Sequence, residues 1–292
     1  MPDKKNKRRK VKRKKRQPLG TVEDAVDAFT ETSRFSKIIP DLENKGWGKD
    51  VLTRLLEAAF YNVGVTFLKL KPYLELQTKA LEIFFDAGNA LSWSTVDGFV
   101  CCSLLTRAAS CHFAAVMLSC AGQITETWVM LRACLENSLY AFYVARNPKL
   151  AEIWMNRHDN ETSKDACKRQ FMIGNMWKDL AKESRRIAKE AKALYETSID
   201  CGGHPNERSV TPNVVQKKDR SGYHVKILNP GEALTRMSLI MTLMTCSCVF
   251  EIFSLIFQDQ FDQPNLKMKI SYLKEQIKPL AIVSAGRLRT LR

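Results

Sequence analysis

The sequence predicts a mainly α-helical protein, a multi-helix bundle with one possible small β-hairpin near residues 213–228. Three observations carry this. Apolar residues recur at helical spacing between caps and breakers over most of the chain after Asp50. The stretches Asp97–Ala121 and Thr125–Arg146 are apolar nearly all round the helical wheel, the mark of a buried helix. Two β-favouring runs, Val214–Lys217 and Tyr223–Ile227, flank the Gly-containing turn Asp219-Arg220-Ser221-Gly222, which reads as a hairpin.

The chain divides into three parts. Residues 1–20 are a basic tail: Lys4, Lys5, Lys7, Arg8, Arg9, Lys10, Lys12, Arg13, Lys14, Lys15 and Arg16 stand against one acid, Asp3. This run repels itself and has too little apolar surface for a core, so disorder is expected. It accounts for +10 of the net charge of +15, so the body is only mildly basic. Residues 21–48 hold a short helix and a linker. Thr21 opens the helix, Val22, Ala25, Val26 and Phe29 form its apolar side, and Pro40 and Gly46-Trp47-Gly48 mark the linker.

Residues 49–292 are expected to form a single helical domain. Asp50 caps a helix running to about Lys71, with Leu52, Leu55, Leu56, Ala59, Phe60 and Val63 at helical spacing, and Pro72 starts the next, to about Leu91. The two apolar helices follow, separated by Gly122. Asn147-Pro148 begins a short helix to about Arg157, and one long basic amphipathic helix is predicted from about Ser163 to Thr197. A Gly-rich loop, the hairpin, an apolar helix Glu232–Gln258 and a last helix Leu266–Lys278 complete the series.

Nine cysteines, mostly inside apolar runs, read as small core residues in a reducing compartment. No Cys-x-x-Cys pair or zinc-finger spacing occurs, so no metal or other cofactor is expected. No apolar segment follows the basic N-terminus as in a signal peptide, and a cytoplasmic location is expected. Met237–Phe257 has Glu251 as its only charge and the length of a membrane span, but a buried bundle helix has the same composition. Glu251 would be costly in lipid without a partner.

Five constellations bear on function. The tail gains affinity for a polyanion by counterion release, which points to nucleic acid; an anionic membrane is the alternative partner. It has no interleaved aromatics for base stacking. On the basic helix, Lys178, Lys182, Arg185, Arg186, Lys189 and Lys192 fall on an arc beside an apolar face containing Trp177, Leu194 and Tyr195. That arc would follow phosphates or be an ordinary solvated face. Arg132 and Glu136 lie one turn apart on the apolar helix Thr125–Arg146, where charges need partners, as a structural pair or as the wall of a polar pocket. The loop after the basic helix brings Tyr195, Ser198, His204 and Asn206 into one short stretch, with Gly202-Gly203 allowing close backbone approach and Pro205 restricting His204. His204 would be an acid–base group or a simple helix stop. Arg107 and His112 match the loose Arg-x4-His spacing of HEPN ribonucleases, but about 140° apart on a helix. Motifs for P-loop, dinucleotide-binding, nucleophile-elbow and zincin enzymes are absent from the sequence.

The stretch from about Val129 to Ser209 resembles a group of bacterial all-helical domains of unknown function, loosely grouped with HEPN-like and abortive-infection proteins. The matching residues are Arg132-Ala133-Cys134-Leu135-Glu136, Asn147-Pro148, Tyr195-x-x-Ser198 and His204-Pro205. The resemblance implies a helical bundle in which Arg132, Glu136, Tyr195 and His204 converge on one pocket, and it implies no activity. A metal-independent HEPN-like ribonuclease, using His204 or His112 with an Arg partner, is the enzymatic alternative. Oligomeric state is not legible.

Overall fold

A computed structural model describes residues 41–42 and 44–290, with side chains as far as Leu280. The basic tail and the predicted helix at Val22–Phe29 lie outside the described residues. The described chain is mainly helical with one small antiparallel hairpin, as the sequence predicts.

Helix α1 (Val51–Ala90) starts at Asp50, whose Oδ1 accepts from the Thr53 amide at 2.9 Å. The two helices read on either side of Pro72 are one helix with a kink, where Leu70 leaves helical geometry (φ −120°, ψ 25°). Helix α2 (Val96–Ala121) starts at Thr95 and ends at Gly122, whose left-handed φ of 88° favours glycine. Helix α3 (Ile124–Arg146) then runs back along it. Small residues let the two approach closely: the Cys101 thiol donates to Ala141 O and the Cys134 thiol to Ala108 O, each at 3.3 Å. Eight of the nine cysteines are thus buried, Cys201 is half-buried, and all nine are free thiols.

Helix α4 (Lys149–Met155) is the expected short helix, whereas α5 (Glu161–Gln170), α6 (Ile173–Glu183) and α7 (Arg185–Ser198) replace the expected single long basic helix. This corrects the continuous wheel. Ser184, extended at φ −148° and ψ 104°, ends α6 and caps α7 by accepting from the Ile187 amide at 3.3 Å. The earlier break is at Phe171, buried against Tyr140 (centroids 5.1 Å, stacked) and Tyr143 (5.9 Å, edge-on). A π-helical turn, Ile199–Gly203, continues α7. Then come α8 (Glu207–Val210), a 3-10 turn, and strands β1 (Val214–Gln216) and β2 (Tyr223–Val225), paired Val214↔Val225, Val215↔His224 and Gln216↔Tyr223.

Helix α9 (Glu232–Ile256) is the buried centre, with Leu239, Leu243, Cys246, Val249, Phe250 and Phe253 sealed from solvent. It packs on α1, α2, α3, α7 and α11 (Pro264–Thr290), with the short α10 (Gln258–Phe261) between. The span-like stretch Met237–Phe257 therefore lies in the bundle interior, and Glu251 has two partners. Arg186 grips it through both terminal nitrogens (3.1 and 2.8 Å), and Lys274 donates at 2.6 Å. Burial alone would raise the Glu251 pKa, but these two cations outweigh it and hold the carboxyl below its ordinary value. By length and composition alone, α1, α2 and α9 are each apolar enough to cross a membrane.

Candidate functional site

The polar residues of α3 meet α7 at one half-buried cluster. Arg132 Nε donates to Glu136 Oε1 at 2.9 Å, across one turn of α3. Tyr195 Oη, from α7, donates to the same oxygen at 3.1 Å. The Arg132 guanidinium carbon lies 5.4 Å from the centroid of the Tyr195 ring, within cation–π range. Trp177 on α6 closes the far side of that ring, edge-on at 5.6 Å. The helix bearing the pair also exposes Glu126, Val129 and Arg146, and the two charged side chains keep 30% and 35% of their surface in solvent. They are less buried than an all-round apolar wheel suggests.

The electrostatics favour a fixed protonation pattern. Partial burial works against the Arg132 charge, but the hydrogen bond and charge of Glu136, together with Tyr195, outweigh it and raise its pKa. Burial first, then the Glu136 charge, pushes the Tyr195 phenol up, so it stays a protonated donor at neutral pH. The cluster is therefore a charge-balanced pair in which one carboxylate oxygen of Glu136 takes both the Arg132 Nε and the Tyr195 hydroxyl, with the guanidinium held beside the phenol ring.

The π-turn is seated by two glycines. A Cβ on Gly202 would lie 2.2 Å from Thr125 O and 2.9 Å from Trp128 Cβ, so only glycine fits there. A Cβ on Gly203 would lie 3.4 Å from Arg132 Nη1, which puts the turn directly against the guanidinium. π-Turns of this kind are frequent at functional sites.

The structure brings together Arg132, Glu136 and Tyr195, but leaves their three companions apart. His204 is exposed and extended (φ −135°, ψ 150°), as the following Pro205 demands. Its amide donates to Ile199 O at 3.2 Å, while its imidazole has no hydrogen bond or ion pair among the described residues. Buried Ser198 spends its hydroxyl on Leu194 O at 2.8 Å. Asn206 caps α8, its side chain accepting from the Ser209 amide at 3.0 Å in a reciprocal capping box.

The other candidates separate more sharply. Arg107 is exposed whereas His112 is sealed in the core, so they share no cleft. Both His112 ring nitrogens are without a partner among the described residues, its ring lies 5.8 Å from that of Phe84, and burial pushes its pKa down to about 4. Of the basic positions, Lys182 pairs with Asp179 (2.7 Å) and Arg186 with Glu190 (3.2 Å) as well as Glu251. Lys178, Arg185, Lys189 and Lys192 are exposed, without a carboxylate partner among the described residues. Arg185, Lys189 and Lys192 form one stripe along α7 at i, i+4 and i+7. No group of three or more His, Cys, Asp or Glu suited to a metal occurs among the described residues.

Two residues near the cluster escape sequence reasoning. Tyr140 stands one turn beyond Glu136 on α3, and burial followed by the Glu136 charge raises its pKa. Arg157, after α4, acts on Tyr140 as a nearby positive charge, and its Nε is buried with no partner among the described residues. The i+4 spacing from Glu136 was the available signal for Tyr140; Arg157 carried none.

Residues 98–222 match the model of a family of unknown function, DUF5677. The matched region contains Arg132, Glu136, Tyr195 and the whole π-turn. No curated protein and no solved structure matches the chain.

Proposed function

We propose that this is a nucleic-acid-associated helical-bundle protein, tethered to its polyanion by residues 4–16, with the Arg132–Glu136–Tyr195 cluster as a ligand-holding site on the bundle. The observation that carries this reading is charge placement: two thirds of the net charge, +10 of +15, sits in sixteen residues with a single acid. A cation run of this density binds polyphosphate chiefly by releasing its counterions. Supporting it on the bundle are the exposed cations Arg185, Lys189 and Lys192 of α7, which have no carboxylate partner among the described residues. Exposed Lys217, Lys218, Arg220 and Lys226 add charge around the hairpin, close in sequence to exposed Tyr223. Cytoplasmic location belongs to the same reading and rests on the free, buried cysteines.

The test is a binding titration of fluorescent single- and double-stranded oligonucleotides with the full chain and a chain lacking residues 1–16. The full chain should bind both, and removing the tail should abolish binding at moderate salt. Equal binding by the two forms would refute the tether. Selective binding of anionic vesicles in place of oligonucleotides would transfer the tail to a membrane surface.

A further inference from the structure

The first half of α1 is built inside out. Its polar residues face the protein: Asn62 Nδ2 donates to Ala121 O at 2.9 Å and Thr66 Oγ1 to Cys120 O at 3.2 Å. They thereby satisfy carbonyls in the last turn of α2, which that helix cannot satisfy itself. Large apolar residues face outward instead, with Tyr61 72%, Phe67 53% and Leu68 80% exposed. Apolar side chains gathered on the outer side of a helix mark a surface that something covers.

Gly64 lies at the middle of this face. At about 100° per residue, Glu57, Tyr61, Phe67, Leu68 and Lys71 all fall within roughly 60° of it. All six are exposed, including Lys71 just past the kink at Leu70. A glycine inside a helix weakens it, and its use there is to let another backbone come close. Among the described residues nothing does so: a Cβ on Gly64 would meet no atom within 4 Å. The space in front of Gly64 is therefore open to a further helix. The order of residues along the face says which helix fits. Glu57 and Lys71 stand seven residues on either side of Gly64, and Tyr61 and Phe67 three on either side. Opposite charges at equal distances from a centre, with aromatic rings at equal distances inside them, make a face complementary to itself when it is turned end for end. Neither Glu57 nor Lys71 has a partner of opposite charge among the described residues.

We propose that this face is a dimer interface: a second copy of the chain lays its α1 antiparallel along the first, with Gly64 against Gly64 at a twofold axis. An axis there sets Glu57 level with the partner's Lys71 and Tyr61 level with the partner's Phe67. Each contact is made twice, as an isologous interface requires. The bare backbone at Gly64 lets the two helices approach until the flanking rings and Leu68 interleave. The two bundles stay clear of one another, because Asn62 and Thr66 bind their own α2 on the side away from the axis. A lipid surface would accept the apolar residues, but it would leave Glu57 without a counter-charge and would make no use of the symmetric spacing.

Sedimentation equilibrium of the full chain tests the dimer. The mass should rise with concentration from that of one 33.3 kDa chain towards twice that value. Gly64→Leu should keep or raise the unfolding midpoint, since leucine is the better helix former, yet leave the chain monomeric. Glu57→Lys and Lys71→Glu each set like charges opposite one another, and each alone should raise the dimer dissociation constant by roughly tenfold or more. Both changes in one chain should restore the wild-type constant, and mixing the two single variants should give dimers containing one chain of each. A wild-type chain that stays monomeric at every concentration would overturn the proposal, as would a dimer indifferent to Gly64→Leu. Charge swaps that fail to rescue one another would overturn the register. A monomer that binds lipid vesicles, and releases them on Phe67→Glu, would assign the face to a membrane and overturn the proposal as well.

Discussion

At Glu136 one carboxylate oxygen accepts from both Arg132 and Tyr195, so the three side chains stand or fall together. Because the ion pair is about one-third exposed, its own contribution is small, about 0.2–1 kcal/mol. The phenol hydrogen bond to a charged acceptor adds about 1 kcal/mol after allowance for that exposure. Tyr195→Phe and Glu136→Gln should therefore each cost about 1 kcal/mol in urea unfolding, with the double variant costing clearly less than their sum. Strict additivity would mean that the two side chains do not act on one another. His112 makes the opposite kind of contribution. It is neutral in the fold, with its pKa pushed down to about 4 from the ordinary 6.5. Below pH 6.5 the unfolded chain takes up a proton that the folded chain refuses, so stability falls as pH drops towards 4 and is full above 6.5. The loss should total about 3 kcal/mol, and His112→Leu should remove that part of the pH dependence. Denaturation curves at pH 7 and pH 4.5 that shift equally in both proteins would contradict the assignment.

Among the elements, those whose ends are set by local chemistry were legible in the sequence. Asp50, Gly122, Asn147-Pro148 and the turn before Tyr223 each act on their own backbone, and each boundary falls within a few residues of where it reads, whereas Pro72 kinks α1 near Leu70 without ending it. The breaks in the basic helix were not legible. Phe171 leaves helical geometry without a Gly or Pro, and its burial against Tyr140 and Tyr143 is a tertiary effect. Ser184 is a cap only because α7 starts a new direction there; inside an amphipathic run the same residue passes as an ordinary surface position. For the candidate site, charges on an apolar helix correctly drew attention to Arg132 and Glu136, and Gly202-Gly203 to a close approach. The side on which His204 would emerge depended on a π-turn that no residue pattern announces. That turn also makes the sharpest element-level prediction. Gly202→Ala would force a methyl group against the Thr125 carbonyl, so the π-turn must lift off α3, costing on the order of 2 kcal/mol or more. Amide exchange at residues 199–204 should report the displacement. Wild-type stability and exchange in that variant would mean the contact is looser than its geometry.

For the whole molecule, charge and fold are separable. The bundle needs its cations as structural partners, as Arg186 and Lys274 around Glu251 illustrate, whereas the cations of residues 4–16 exceed anything the local sequence can neutralise. A polyanion bound through such a run should leave bundle stability nearly unchanged, and binding should respond to salt far more than to sequence or pH. The Arg132 cluster would then act on whatever the tail brings near, with its guanidinium charged throughout the neutral range.

The most direct measurement is the salt dependence of oligonucleotide binding, as log K against log salt concentration, for the full chain and for a chain with residues 4–16 neutralised by Lys/Arg→Gln. The slope for duplex DNA should fall by about 0.9 for each tail cation engaged, so the full chain should be steep and the neutralised chain nearly flat. Equal slopes for the two chains would contradict tethering through the tail.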